Sequence, residues 1–97
     1  MNPENFIPIA KLCTHYHVEM SFFDNLSEVG LIEIESIEES HYIRAERIGE
    51  VEKLIRMRQD LHLNPEGIDV VVNLLQKMER LQHELISARN RLRLYEN

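Results

Sequence analysis

Ninety-seven residues, 43% of them hydrophobic and 29% charged, exclude both a disordered chain and a multidomain one, and leave a single modest core. The net charge of −6 is regional: residues 12–43 hold seven carboxylates and neither lysine nor arginine, so this stretch contributes −7 and the remainder +1. No apolar run approaches the roughly 20 residues of a membrane span, the N-terminus has no basic region followed by an apolar one, and Cys13 has no partner for an internal disulfide. The expectation is a cytoplasmic protein without a membrane segment, in which Cys13 is a small buried hydrophobe.

In FIPIAKLCTHYHV, Pro8 biases Ile7 toward extended backbone and suits the first turn of a helix. Ile9, Leu12, Cys13 and Tyr16 then keep helical spacing, which predicts a short extended piece and a first helix over 8–16. Phe22, Leu26 and Val29, widened by Phe23, predict a second helix over 19–29 that stops at Gly30. Its outward face is Ser21, Asp24, Asn25 and Glu28. In LIEIESIEESHYI the period changes: Ile32 and Ile34 alternate with Glu33 and Glu35, the pattern of a half-buried strand, and HYI is the return strand of a small hairpin. From Ala45 to Leu61 the pattern is helical again, with Ile48, Val51, Leu54, Ile55, Arg58 and Leu61 on one broad face.

LNPEG marks the start of a further helix: Asn64 can cap, Pro65 takes the first helical position, and Glu66 sits near the positive end. No glycine or proline follows Gly67, so this helix is expected to reach Tyr95, at 1.5 Å per residue about 45 Å long. Val71, Leu74, Met78, Leu81, Leu85, Ala88, Leu92 and Tyr95 alternate spacings of three and four, a heptad seam. Glu84 and Arg91 fall at g, Arg89 and Glu96 at e. A parallel pair matches Glu84 with Arg89 and Arg91 with Glu96, and the seam alone leaves the antiparallel pair open. The first half of the seam is expected to pack on its own domain, whereas residues 81–95 have little core left to cover. The chain therefore divides into a part over 1–66 and a long helix over 67–97, one domain overall, with Leu74, Met78, Leu81, Leu85, Ala88, Leu92 and Tyr95 as a homodimer seam.

The chemistry-bearing residues point away from an enzyme. Cys13, His15 and His17 lie close together, but a zinc site needs three or four converging ligands, and His41, His62 and His83 show no ligand spacing. No phosphate-binding glycine loop or nucleophile elbow is present, and paired-carboxylate catalysis needs a pocket that separates two pKa values. No cofactor or metal is expected. Helix, helix, wing, helix is a DNA-reading layout, yet DNA affinity comes mainly from lysine and arginine on phosphates. Here the second helix presents Glu19, Asp24 and Glu28, and the hairpin presents Glu33, Glu35, Glu38 and Glu39. Arg44, Arg47, Lys53, Arg56 and Arg58 alternate with Glu46, Glu50, Glu52 and Asp60, which suggests pairing along the helix, for instance Glu52 with Arg56.

The order and spacing of FIPIAKLCTHYHVEMSFFDNLSEVGLIEI, YIRAERIGEVEKLIRMRQDLHLNPEGIDVVVNLL and a long C-terminal helix resemble the MerR-type winged helix-turn-helix, over nearly the whole chain. Within that superfamily the chain most resembles the chaperone-modulator (CbpM-type) proteins. The carriers are the LC near the end of the first helix, EVGLIEI, RIGEVEKLIRMRQDL and LNPEGI. DNA-binding members look to need an arginine–tyrosine pair on the second helix and a basic, glycine-bearing wing. This chain has Ser21-Phe22-Phe23 and an acidic wing without glycine. The resemblance implies a mostly α winged helix-turn-helix with a small β-hairpin wing and a long C-terminal helix. It also implies a protein that binds the J-domain of a DnaJ/CbpA-like co-chaperone and restrains its stimulation of Hsp70. J-domains present a basic helix to that chaperone, and an acidic surface would compete for it. Read from the residues, the partner-binding acids are Asp24, Glu28, Glu33, Glu35, Glu38 and Glu39. The alternatives are a MerR-type DNA-binding transcriptional regulator using Arg44, Arg47 and their neighbours, and a dimerising interaction domain with neither partner.

Overall fold

The computed structural model describes residues 3–96. It contains β1 (Phe6–Pro8), α1 (Ile9–Tyr16), α2 (Met20–Glu28), β2 (Glu35–Ile37), β3 (Ser40–Arg44), α3 (Ile48–Leu61) and α4 (Pro65–Glu96), with single 3-10 turns before β1 and α3. The expected helices are all present: α1, α2 and α4 lie within a residue of their predicted ends, whereas α3 begins at Ile48, three residues after Ala45, because Ala45–Arg47 forms a 3-10 turn. α1 closes on His17, which takes the left-handed conformation at φ 56° and donates its backbone N–H to the Cys13 carbonyl. α2 closes on Gly30 at φ 83°, and the next amide, Leu31, reaches back to the Leu26 carbonyl at 2.9 Å. Glycine adopts this backbone without a Cβ clash, which is why the helix stops there.

Two features of the sheet differ from expectation. The extended piece before α1 is a true strand: β1 pairs antiparallel with β3, giving a three-stranded sheet in the order β1-β3-β2. The wing strand is also displaced. Ile32 and Ile34 lie in the irregular connection, and the ladder runs over Glu35–Ile37 opposite Ser40–Tyr42. The alternation of Ile32 and Ile34 nonetheless has a cause, because both are half-buried against the core. The hairpin turns on Glu38 and Glu39, at φ 51° and 66°. This two-residue turn needs positive φ at both positions, where asparagine and glycine are the usual occupants. No residue type in IEES announced it.

The core is Ile9 and Leu12 of α1, Val18, Phe22, Phe23 and Leu26 of α2 and its approach, Ile43 of β3, Val51, Leu54 and Ile55 of α3, and Ile68 of α4. All eleven are nearly or wholly buried, and no polar side chain is buried among them. At the end of α3 the predicted face fails: Leu61 is 63% exposed. His62 turns left-handed at φ 55° and ends the helix, and the half-buried Leu63 packs against the core in place of Leu61. Cys13 is half-buried and packs against the core edge.

α4 begins as its sequence predicts. Asn64 Oδ1 accepts the Gly67 N–H at 2.8 Å, satisfying one of the amides a helix start leaves without a partner. Its first turns pack on the body through the buried Pro65 and Ile68 and the half-buried Val72, and beyond them Leu75, Met78 and Gln82 line an open groove with Glu50, Lys53 and Met57 of α3. The seam lies on a different side. Leu74 is 53% and Met78 55% exposed, although Val71 is half-buried and Met78 borders a groove against α3. Positions 65, 68 and 72 form the inward line, and the 74–78 line points away from it by more than a quarter turn of helix.

Candidate functional site

α2 orients its acids by burying its apolar side. With Phe22, Phe23 and Leu26 in the core, Asp24, Asn25 and Glu28 are forced outward, and all three are exposed. Phe22 is held from above by α3, where the Arg58 guanidinium carbon sits 5.2 Å from its ring centroid. Gln59, the next residue of α3, donates its side-chain amide to the Tyr16 carbonyl at the end of α1. These two contacts fix α3 across the helix pair, and Arg58 is thereby occupied in packing.

The wing carries its acids in two settings. Glu33 is exposed in the connection leading to β2, and Glu38 and Glu39 are exposed at the hairpin tip. Glu35 is different. It lies opposite Tyr42 in the ladder, is half-buried, and accepts Arg44 Nε at 3.2 Å. Tyr42 on the same sheet face packs edge-on against Phe6, with ring centroids 6.4 Å apart. On the other face Ser36 and His41 share a hydrogen bond at 3.1 Å. Of the six proposed partner-binding acids, Glu35 is thus neutralised within the wing. Among the described residues Asp24, Glu28, Glu33, Glu38 and Glu39 enter no ion pair.

The arginines near the wing are also engaged: Arg44 reaches Glu46 at 3.8 Å as well as Glu35, and Arg47 meets Glu50 at 3.3 Å. The predicted pairing of Glu52 with Arg56 is not formed. Glu52 is half-buried while Arg56 is exposed, and among the described residues Lys53 and Arg56 have no acidic partner. Burial pushes the Cys13 thiol above its ordinary value of 9.0, and the Asp24 carboxylate adds to the rise. Among the described residues no three histidine, cysteine or acidic side chains converge as metal ligands, and no helix is long and apolar enough to cross a membrane.

α4 presents the second candidate surface. Leu74, Met78, Leu81, Leu85 and Leu92 are all more than half exposed, Ala88 is exposed, and Tyr95 is 89% exposed at the far end. Among the described residues, ten of the eleven large exposed hydrophobics lie on this one helix, which concentrates apolar surface along it.

A helix-turn-helix followed by a hairpin wing, closed by α3 and extended by a long helix, defines a winged helix-turn-helix protein. The family model described as MerR HTH family regulatory protein matches residues 7–90, and the chain belongs to that family. No curated protein matches the chain.

Proposed function

We propose that this MerR-family protein is a non-enzymatic chaperone modulator in the cytoplasm. It binds the J-domain of a DnaJ-like co-chaperone through its acidic face, restrains the stimulation of Hsp70, and works as a homodimer through the α4 seam. The observation that carries the reading is the set of five unpaired, exposed carboxylates on α2 and the wing, within a stretch that has no lysine or arginine. In a DNA-binding member those two elements meet phosphates, and carboxylates there oppose binding. A basic helix on a partner protein reverses the sign: complementary potentials speed encounter and fix partner choice. The resemblance to chaperone modulators supplies the identity of that basic partner. The experiment is an ATPase assay of Hsp70 stimulated by a J-protein, with increasing amounts of this protein. Stimulation should fall to the basal rate; stimulation that persists at saturating protein contradicts the reading.

The second reading is a DNA-binding regulator, and one observation favours it: Lys53 and Arg56 are exposed on α3 with no acid paired to them among the described residues. A gel shift with mixed genomic fragments at low salt separates the two. A clear shift abolished by Lys53→Glu and Arg56→Glu supports DNA binding, whereas no shift leaves the J-domain reading.

A further inference from the structure

We infer that the outward face of the three-stranded sheet is a docking surface for a basic, amphipathic segment of a partner protein, with Phe6 and Tyr42 as its anchors. This deepens the reading of the wing as the part that meets a basic partner, and it rests on that reading.

The ladder sorts the side chains of the sheet into two faces. Ile7 and Ile43 stand opposite each other and turn inward, Ile43 within the core and Ile7 packed against it. Successive side chains of a strand alternate, so their neighbours turn outward. Two contacts agree: Phe6 meets Tyr42 edge-on with ring centroids 6.4 Å apart, and Arg44 reaches Glu35 at 3.2 Å. An antiparallel sheet with one wet face ordinarily carries polar residues there. Here Phe6 and Pro8 of β1, Tyr42 of β3 and Ile37 of β2 share the outward face. None of the four belongs to the core or packs against it. The alternation is broken where a partner could use it.

The free charges surround this apolar centre. Glu35 and Arg44 close on each other, which leaves the middle of the face neutral. Glu38 and Glu39 stand exposed at the hairpin tip, without an ion pair among the described residues, and Glu46 is exposed beyond the other end of β3. Four carboxylates against one guanidinium give the face a net charge of −3. A charge-depleted centre with aromatic anchors, inside a polar rim, is the anatomy of a protein recognition surface. The sign of the rim selects the occupant. A lysine- or arginine-bearing segment lays its apolar stems on the rings and sets its head groups at the rim carboxylates. An acidic segment would be repelled. Beside Phe6 an open hollow of about 390 Å³, lined by Asn5, Phe6, Arg44, Ala45 and Glu46, gives such a side chain a place to enter.

The test is a titration of the isotope-labelled full chain with an isolated J-domain at low salt, followed by NMR. The ring and amide signals of Phe6 and Tyr42 are expected to shift together with the amides of Glu38 and Glu39. Calorimetry supplies the second measurement: Phe6→Ala and Tyr42→Ala, each confirmed as folded, are expected to weaken binding about tenfold or more. If reversing Glu38 and Glu39 to lysine abolishes binding while Phe6 and Tyr42 stay silent and both alanine variants bind like wild type, the anchors are overturned and the acidic reading stands. If the J-domain does not bind, an amphipathic helical peptide of lysine and leucine takes its place. Shifts at Phe6 and Tyr42 then support the surface with a different basic partner, and silent rings overturn it. Ring shifts that follow the concentration of this protein alone assign the face to a second copy and overturn the proposal.

Discussion

Arg44 donates its Nε–H to Glu35 at 3.2 Å across the β2–β3 hairpin, joining the first cation after the acidic stretch to one of the acids within it. The pair is half exposed, so its own contribution to stability is small, of the order of 0.2–1 kcal/mol. Its larger consequence is to remove Glu35 from the charges offered to a partner. Glu35→Gln is therefore expected to lower stability by less than about 1 kcal/mol in urea denaturation and to weaken J-domain binding less than Glu33→Gln does. Equal losses of affinity from the two substitutions would place Glu35 in direct contact with the partner.

The hairpin tip separates stability from binding. Glu38 and Glu39 both hold left-handed backbone, which costs a non-glycine residue about 1–2 kcal/mol. Replacing them with Asn-Gly suits the turn. The variant is expected to gain about 1 kcal/mol or more, raising the melting midpoint by roughly 4–8 °C, and to bind a J-domain more weakly because two carboxylates are lost. A variant that is stabilised and binds as well as wild type would clear the tip of any role in recognition.

Asn64 is the cap of α4. Asn64→Ala should cost about 0.5–2 kcal/mol, measured by denaturant unfolding. Asn64→Asp, which keeps the acceptor and adds a favourable charge at the helix start, should stay close to wild type. Loss in both variants would point to a role for the amide nitrogen.

Cys13 titrates above its ordinary value because burial disfavours the thiolate. A folded pKa above the unfolded one means that its contribution to stability is complete below about pH 9 and is lost as pH rises through the folded value. Alkylation of Cys13 by iodoacetamide should accordingly be slower than that of a free thiol at pH 8 and accelerate on unfolding. Reaction at the rate of a free thiol in the folded protein would contradict the packing assigned to this side chain.

Much of this fold is legible in the residues because short-range rules decide it. Gly30 ends α2, Asn64-Pro65 opens α4, and the spacing of Phe22, Phe23 and Leu26 fixes which way Asp24 and Glu28 point. What escapes is set by pairing across the chain. β1 is a strand only because β3 runs beside it, and Glu35 meets Arg44 only through the register of the hairpin. Leu61 matched the apolar period of α3, yet the helix outruns the core before reaching it. The heptad seam was visible, but which side of α4 faced the body was not, because Ile68 and Val72 carry an apolar line of their own. The acids were legible as a set, and their division into a paired Glu35 and five unpaired neighbours was not.

The most direct measurement is a calorimetric titration of an isolated J-domain into this protein at about 0.01 M and about 1 M salt, where the screening length falls from about 30 to about 3 Å. It is repeated with Glu33, Glu38 and Glu39 all changed to lysine. An acidic docking face predicts binding at low salt that weakens steeply at high salt and is lost in the triple variant. Binding that ignores both salt and charge reversal, or no binding at low salt, would contradict it.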